Sequence, residues 1–239
     1  DRWTGDYSYP YQASEPRYLQ YYGTNSAGNK WLALVNGSCP GCDLSYNDLR
    51  GADLSDGDFS NADFTGANLS GVKFANAKLD GAKFAGADLS GVDLSRRDLT
   101  GADMSKAKMH GANLAGAKLS GADLSLIDAD RTDFSGAALR GADISHSVFY
   151  NCNFTGADFT GARIDWRNDK VSGRTDFSNS NLQDATLVKL DLTNAAFPGV
   201  DLRGADLSGA IVKNLRRFLE IRTDPSTVCP GGAKGPCNW

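Results

Sequence analysis

From Leu44 to Ile164 a large apolar residue stands at every fifth position: 12 Leu, 8 Phe, 2 Met, 2 Ile and Ala129 over 25 steps, none of them polar. Two residues before each of these comes a second set, of which 15 are Ala and most others Cys, Val, Gly, Ser or Thr; Asn47, Arg97 and Ile127 depart from the rule. The residue just before the centre is Asp in 14 of the 25 steps and Asn, Lys or Arg in 9 more, and the two that follow the centre favour Ser/Thr and then Gly or Asn. A period of five fits neither a 3.6-residue helical stripe nor strand alternation. It requires a backbone that turns once per repeat, with a large and a small side chain pointing inward from a short extended piece, because residues two apart share a face of a strand. The polar positions then turn the corner and meet water.

Stacked coils of this kind make a continuous main-chain hydrogen-bond ladder around a filled interior. The expected core includes Leu44, Phe59, Phe64, Phe74, Phe84, Leu94, Phe134, Phe154, Phe159, Phe177, Leu192 and Leu202. The phase breaks after Ile164 and resumes at Phe177, followed by six further centres to Leu207. Such a rod needs no cofactor and no metal to stand.

The segments Ala-Asp-Leu-Ser-Gly (87–91), Ala-Asn-Leu-Ser-Gly (67–71) and Ala-Asp-Phe-Thr-Gly (157–161) resemble the pentapeptide repeat family, and the match covers about residues 42–212. The resemblance implies an all-β fold, a right-handed quadrilateral parallel β-helix with four repeats per coil. The 32 repeats then give about 8 coils and a rod roughly 38 Å long at the spacing of hydrogen-bonded strands.

A solenoid exposes apolar core and open edges at both ends, so caps are expected. Residues 30–41 read as an N-terminal cap with a short helix around Trp31 and Leu34. Residues 213–239 read as a C-terminal helical cap, with Ile211, Leu215, Phe218 and Leu219 at helical spacing, ending in a Cys-bracketed tail. The repeats at 42–212 carry a loop insertion at 165–176. Residues 1–29 form an irregular arm rich in tyrosine, including Tyr7, Tyr9, Tyr11, Tyr18, Tyr21 and Tyr22. Tyr7, Tyr9, Tyr11, Tyr21 and Tyr22, with Trp166 and Arg167 in the insertion, are the candidate partner-binding residues, since aromatic and arginine side chains dominate protein contacts. The arm and the Trp166 ring could equally lie against the rod itself.

Composition narrows the function. The 239 residues carry 25 Lys+Arg against 29 Asp+Glu, a net charge of -4, which lacks the basic excess of a nucleic-acid binder. No apolar run approaches the roughly 20 residues that span a bilayer. His110 and His146 fall in different coils with no partner at ligand spacing, and the aspartates and glycines follow the repeat, so no residue is a catalytic, cofactor or metal candidate.

Of the five cysteines, Cys152 takes a small inward position and is expected to be a buried thiol. Cys229 and Cys237 bracket Pro230-Gly231-Gly232, where a disulfide suits an oxidising compartment. Cys39 and Cys42 have Cys-x-x-Cys spacing without a βαβ context, leaving a structural disulfide, a pair of thiols or a redox centre open. The Cys-Pro-Gly-Cys stretch also resembles cyanobacterial and plastid members of the family, several of them exported. That resemblance, and an opening Asp1 in place of Met, point to the thylakoid lumen or periplasm.

The expectation is a noncatalytic protein-interaction module or scaffold, a subunit or assembly factor of a larger complex such as a photosynthetic one in the thylakoid, associated with a membrane only through protein contacts. The family also suggests an alternative, a DNA mimic that inhibits a type II topoisomerase. Against it, the side reading Asp58, Lys78, Asp98, Lys118, Ala138, Asp158 alternates in sign. A cysteine-based redox-responsive lumenal protein is a further alternative.

Overall fold

A computed structural model describes residues 38–164, 175–193, 195–212 and 220–237. Over most of the chain the residue before a centre bridges, in parallel, its counterpart twenty residues on, as Asp43 does to Asp63, Asp48 to Asn68, Asp53 to Lys73 and Asp58 to Lys78. Twenty residues at five per repeat make four repeats per turn of the coil, hence four sides. Each is named here by its ladder residue in the first coil: the Asp43, Asp48, Asp53 and Asp58 sides. The extended piece of each repeat is so short that every side contributes single bridges in place of long strands. Outside one junction the ladder is regular all the same: the centre N–H donates to the next coil, as from Leu44 to the Asp63 carbonyl at 2.8 Å, and Asp63 N–H returns to the Cys42 carbonyl at 2.8 Å.

The corners follow from the polar positions. Asp43 Oδ1 accepts from Ser45 N–H at 3.0 Å, and the same bond recurs from Asp53 to Ser55, from Asp88 to Ser90 and from Asp206 to Ser208. The aspartate side chain thus closes a turn on its own backbone two residues later. The residue after that adopts the left-handed region, with φ 65° at Gly86 and 60° at Asn61, which is why Gly and Asn recur there.

Inside, the centres stack. Every expected core residue named above is buried, and the phenylalanines form columns: Phe64 on Phe84 with centroids 5.3 Å apart, Phe134 on Phe154 at 4.9 Å, and Phe149 on Phe177 on Phe197 at 5.2 and 5.1 Å. Edge-to-face contacts such as Phe74 with Phe84 and Phe149 with Phe154 link columns across the interior. The small inward positions admit a hydroxyl or thiol where it can reach a carbonyl one coil back. Ser147 Oγ donates to Leu124 O at 2.6 Å, Thr175 Oγ1 to Ile144 O at 2.9 Å and Cys152 Sγ to Ala129 O at 2.7 Å. Each of these buried atoms is thereby satisfied.

The structure moves three boundaries. Ser38 to Gly41, expected in the cap, already run in coil register: Cys39 N–H donates to Asp58 O at 2.7 Å and Gly41 N–H to Ser60 O at 2.8 Å. Cys39 is therefore a centre on the Asp58 side. Thr175 and Asp176, expected in the insertion, are on the ladder, with Asp176 bridging Val148. Bridges across the insertion, as from Asn153 to Asn181, enclose eight more residues than the usual twenty, and the addition falls between the Asp43 and Asp48 sides.

At the far end Ile211 bridges Asp191 and is not on a helix, and 220–237 return to the rod: Arg222 bridges Asp201 and Val228 bridges Asp206. This part of the tail caps the end as a partial coil, because Thr223 to Val228 reproduce the Asp-x-Ser corner through Asp224 and Ser226. The expected helical residues Leu215, Phe218 and Leu219 lie outside the described residues, as do residues 30–37. The Asp58 side, from Ser38 to Val228, carries ten rungs and is roughly 43 Å long at strand spacing.

Candidate functional site: the outer faces of the rod

The outward positions are paired along the ladder. Lys78 Nζ meets Asp58 Oδ2 at 3.4 Å and Lys118 Nζ meets Asp98 Oδ2 at 3.0 Å, one coil apart on the Asp58 side, and Arg163 pairs with Asp143 on the Asp43 side. A diagonal arrangement also recurs: the residue after a centre reaches the residue before the centre in the next coil. His110 Nε2 lies 2.8 Å from Asp128 Oδ2, Arg140 pairs with Asp158, and Gln183 Nε2 donates to Asp201 Oδ2 at 2.8 Å. His110 therefore does have a carboxylate partner, eighteen residues on, which sequence spacing did not disclose.

These exposed pairs each contribute little to stability, but they cancel charge locally. The Asp43 side is cancelled only in part. It reads Asp43, Asp63, Lys83, Asp103, Asp123, Asp143, Arg163, so three aspartates follow one another without an intervening cation.

Asp43, Asp201 and Asp224 are held below the usual carboxylate range. Asp43 is lowered chiefly by the Ser45 hydrogen bond, Asp201 falls to about 2 through Arg203 with help from Gln183, and Asp224 falls to about 2 through Ser226 and neighbouring donors. None of these lies in a cleft with a nucleophile; the lowering comes from side-chain donors beside each carboxylate, Ser45, Arg203 and Ser226. Cys152 is free and buried, and desolvation pushes its thiol up to about 12. It has no thiolate at neutral pH with which to react.

Cys39 and Cys42 form a disulfide across the corner between the Asp58 and Asp43 sides, with Cα atoms 5.5 Å apart. Cys229 and Cys237 form a second, also with Cα atoms 5.5 Å apart. Both lie at rod ends. Among the described residues no group of His, Cys, Asp and Glu is placed to hold a metal, and no helix is long and apolar enough to cross a membrane.

Among the described residues four large apolar side chains remain exposed: Tyr46, Val148, Tyr150 and Ile211. Tyr46 lies across Gly66, where a Cβ would come within 2.5 Å of its ring, so glycine makes room for it. Val148 and Tyr150, 39% and 42% exposed, sit together on the Asp48 side, next to the place where the chain returns from the insertion. The candidate partner residues Tyr7, Tyr9, Tyr11, Tyr21, Tyr22, Trp166 and Arg167 lie outside the described residues. Val148 and Tyr150 were missed in the sequence because they occupy positions that are usually polar. The departure itself was the available signal, since Val148 stands where 23 of the 25 steps carry Asp, Asn, Lys or Arg.

The profile described as pentapeptide repeats matches residues 33–61, 58–96, 87–125, 132–166 and 175–214. Among curated proteins none matches the sequence. Of the solved structures, a trypsin-treated form of QnrB1, a plasmid-mediated fluoroquinolone resistance protein, superposes with a TM-score of 0.61 at 22% identity, over 78% of this chain and 89% of that one. HetL, a pentapeptide repeat protein involved in heterocyst differentiation regulation from the cyanobacterium Nostoc sp. strain PCC 7120, is 29% identical over 82% of this chain and 91% of its own, with a TM-score of 0.41. A pentapeptide repeat protein of the Arabidopsis thaliana thylakoid lumen is 25% identical over 63% and 86%, with a TM-score of 0.42.

Proposed function

This chain belongs to the pentapeptide repeat family, and we propose that it is a noncatalytic protein-interaction module whose partner docks on the Asp48 side beside the 165–174 insertion. The observation that carries this reading is the pair Val148 and Tyr150, exposed at positions the repeat otherwise gives to polar residues, at the edge where the insertion rejoins the rod. An apolar pair flanked by Asp128 and Asp176 on the same side has the make-up of a small interface centre with a polar rim. The setting is a larger assembly, for which a photosynthetic complex of the thylakoid is one candidate, in which the protein serves as subunit or assembly factor. Disulfides at both ends of the rod support a location in an oxidising compartment, the thylakoid lumen or the periplasm. The test is capture of partners from native extract with the intact chain and with a Val148→Asp/Tyr150→Ser double variant. The variant is expected to keep its melting temperature and lose a specific partner; an unchanged set of captured proteins rejects the docking side.

A second reading, duplex mimicry directed at a type II topoisomerase, is favoured by the uninterrupted Asp103, Asp123 and Asp143 on the Asp43 side. Lys83 and the Arg163 pair at its two ends shorten the anionic field. A supercoiling assay showing no inhibition at micromolar protein removes this reading.

A further inference from the structure

The inward column beneath the Asp58 side is Gly57, Ala77, Arg97, Ala117, Ala137, Ala157. A guanidinium fits neither the volume of that column nor the apolar interior behind it, where an unpaired charge is costly. Arg97 therefore leaves between two coils. Its Nη1 reaches only the Ala77 carbonyl, at 3.5 Å, and its buried Nε has no partner.

The ladder is interrupted at that place. Bridges run from Asp53 to Lys73, from Asp58 to Lys78 and from Asp63 to Lys83, and begin again at Asp93 to Asn113 and Asp98 to Lys118. Those that would join Lys73 to Asp93, Lys78 to Asp98 and Lys83 to Asp103 are missing, and the N–H groups of Phe74, Asn76, Leu79, Gly81, Asp93 and Asp98 make none of the bonds their counterparts make elsewhere. On the Asp48 side the same junction is closed: Leu89 N–H donates to Lys108 O at 2.7 Å and Lys108 N–H to Ala87 O at 2.9 Å. Phe84 to Asp103 and Gly86 to Ser105, each at 2.7 Å, also hold. A cleft of about 240 Å³ opens between Asn76, Lys78 and Asp80 on one lip and Arg96 and Asp98 on the other. Two of the lip charges pair away from it, Lys78 with Asp58 and Asp98 with Lys118.

We propose that Arg97 makes the junction between coils 72–91 and 92–111 a joint, at which the rod opens along its Asp53 and Asp58 sides and bends about its intact Asp48 side. From Leu44 to Phe159 every other centre keeps its bond to the next coil, so bending is confined to one place and one direction. A rod that can bend there can follow a curved partner where a uniformly laddered rod cannot.

Amide hydrogen exchange on the full oxidised chain tests the opening. Phe74, Leu79 and Asp98 are expected to exchange at least about tenfold faster than Leu94, Leu99 and Lys118, their counterparts one coil on. Arg97→Ala, which restores the alanine column, is expected to bring the two sets together and to raise the melting temperature. Spin labels at Ser55→Cys and Ser135→Cys, outward on the Asp53 side and on opposite flanks of the joint, test the bending. Their distance distribution is expected to narrow in Arg97→Ala. Equal exchange of the two sets in the unmodified chain, fast exchange that persists in Arg97→Ala, or label distributions of equal width would each overturn the proposal.

Discussion

Phe149 and Phe177 stack with ring centroids 5.2 Å apart and planes 16° from parallel, although the chain that joins them runs eight residues beyond a full coil. Elsewhere stacked phenylalanines stand a single coil apart, as Phe134 and Phe154 do. After the eight extra residues the coil therefore resumes in phase, with Phe177 stacked on Phe149.

This makes the insertion removable. Deleting residues 165–172 would leave Ile164 followed by Gly173, Arg174, Thr175, Asp176 and Phe177, which restores the five-residue spacing. The shortened chain is expected to melt within a few degrees of the full one, since closing a shorter loop changes the entropy only slightly. A calorimetric scan checks it; loss of cooperative unfolding would show that the insertion packs as part of the rod.

Phe154 touches Phe134, Phe149, Phe159 and Phe177, with centroid distances between 4.9 and 5.7 Å. Phe154→Ala is expected to cost about 3–5 kcal/mol, since four rings lose a neighbour and a coil held by its own ladder cannot collapse into the space. Denaturant unfolding measures it. Phe74 meets Phe59, Phe64 and Phe84 at the wider centroid distances of 6.4, 5.8 and 6.5 Å, and the same substitution there is expected to cost less.

The body of the fold was legible because every repeat states the same answer: bulky Phe64 or Leu69 at the centre, Ala62 or Ala67 two before, Asp63 or Asn68 between them. Cooperation among identical local preferences leaves little to tertiary accident. The ends were less legible, because there one repeat has no neighbour to agree with. Cys39 is a centre residue without being Leu or Phe. Arg222 and Val228 join the ladder opposite Asp201 and Asp206 one and two places later than a regular coil would put them, off the period. Arg97 was visible as a departure in the sequence. Its consequence, an opened junction, needed the ladder bonds of Phe74 and Leu79 to be followed one by one.

Ser147, at a small inward position, donates to Leu124 O and accepts from Ile127 N–H at 3.2 Å. Ser147→Ala removes the donor and leaves that N–H without its acceptor inside the rod. A loss of about 1–3 kcal/mol is expected, more than for an outward serine such as Ser105, because a buried unsatisfied donor carries the desolvation cost of the missing bond. Parallel chemical denaturation of the two variants makes the comparison.

Acid should loosen the far end of the rod. Asp201 and Asp224 are held near 2 by Arg203 and by Ser226 respectively, below the ordinary carboxylate value of about 4. A lowered folded-state value means that the stabilising term is complete above pH ~4 and is lost as pH falls through that value toward about 2. Melting temperature should therefore hold from neutral pH down to pH ~4 and decline below it. Arg203→Ala should flatten that decline, since without the guanidinium Asp201 titrates nearer its ordinary value. A decline of equal steepness in both chains would show that other carboxylates set the acid limit.

The Cys229–Cys237 bond closes a short loop behind the last rungs, where Arg222 and Val228 join the ladder and Cys229 N–H donates to Ala233 O at 2.8 Å. Closing a loop of this length stabilises by about 2–3 kcal/mol on the chain-entropy account. Here the gain falls on the end coil, which Arg222 and Val228 tie to Val200, Leu202, Ala205 and Leu207 and whose Val228 also bridges Lys234 within the closed loop. The Cys229→Ser/Cys237→Ser variant should therefore fray locally before it melts globally. Exchange at Val228 and Arg222 should quicken by more than tenfold, while Leu114 and Leu119, deep in the rod, keep their protection. Uniform loss of protection along the whole chain would mean instead that this tail nucleates the stack, and that the end coil is a condition of the fold.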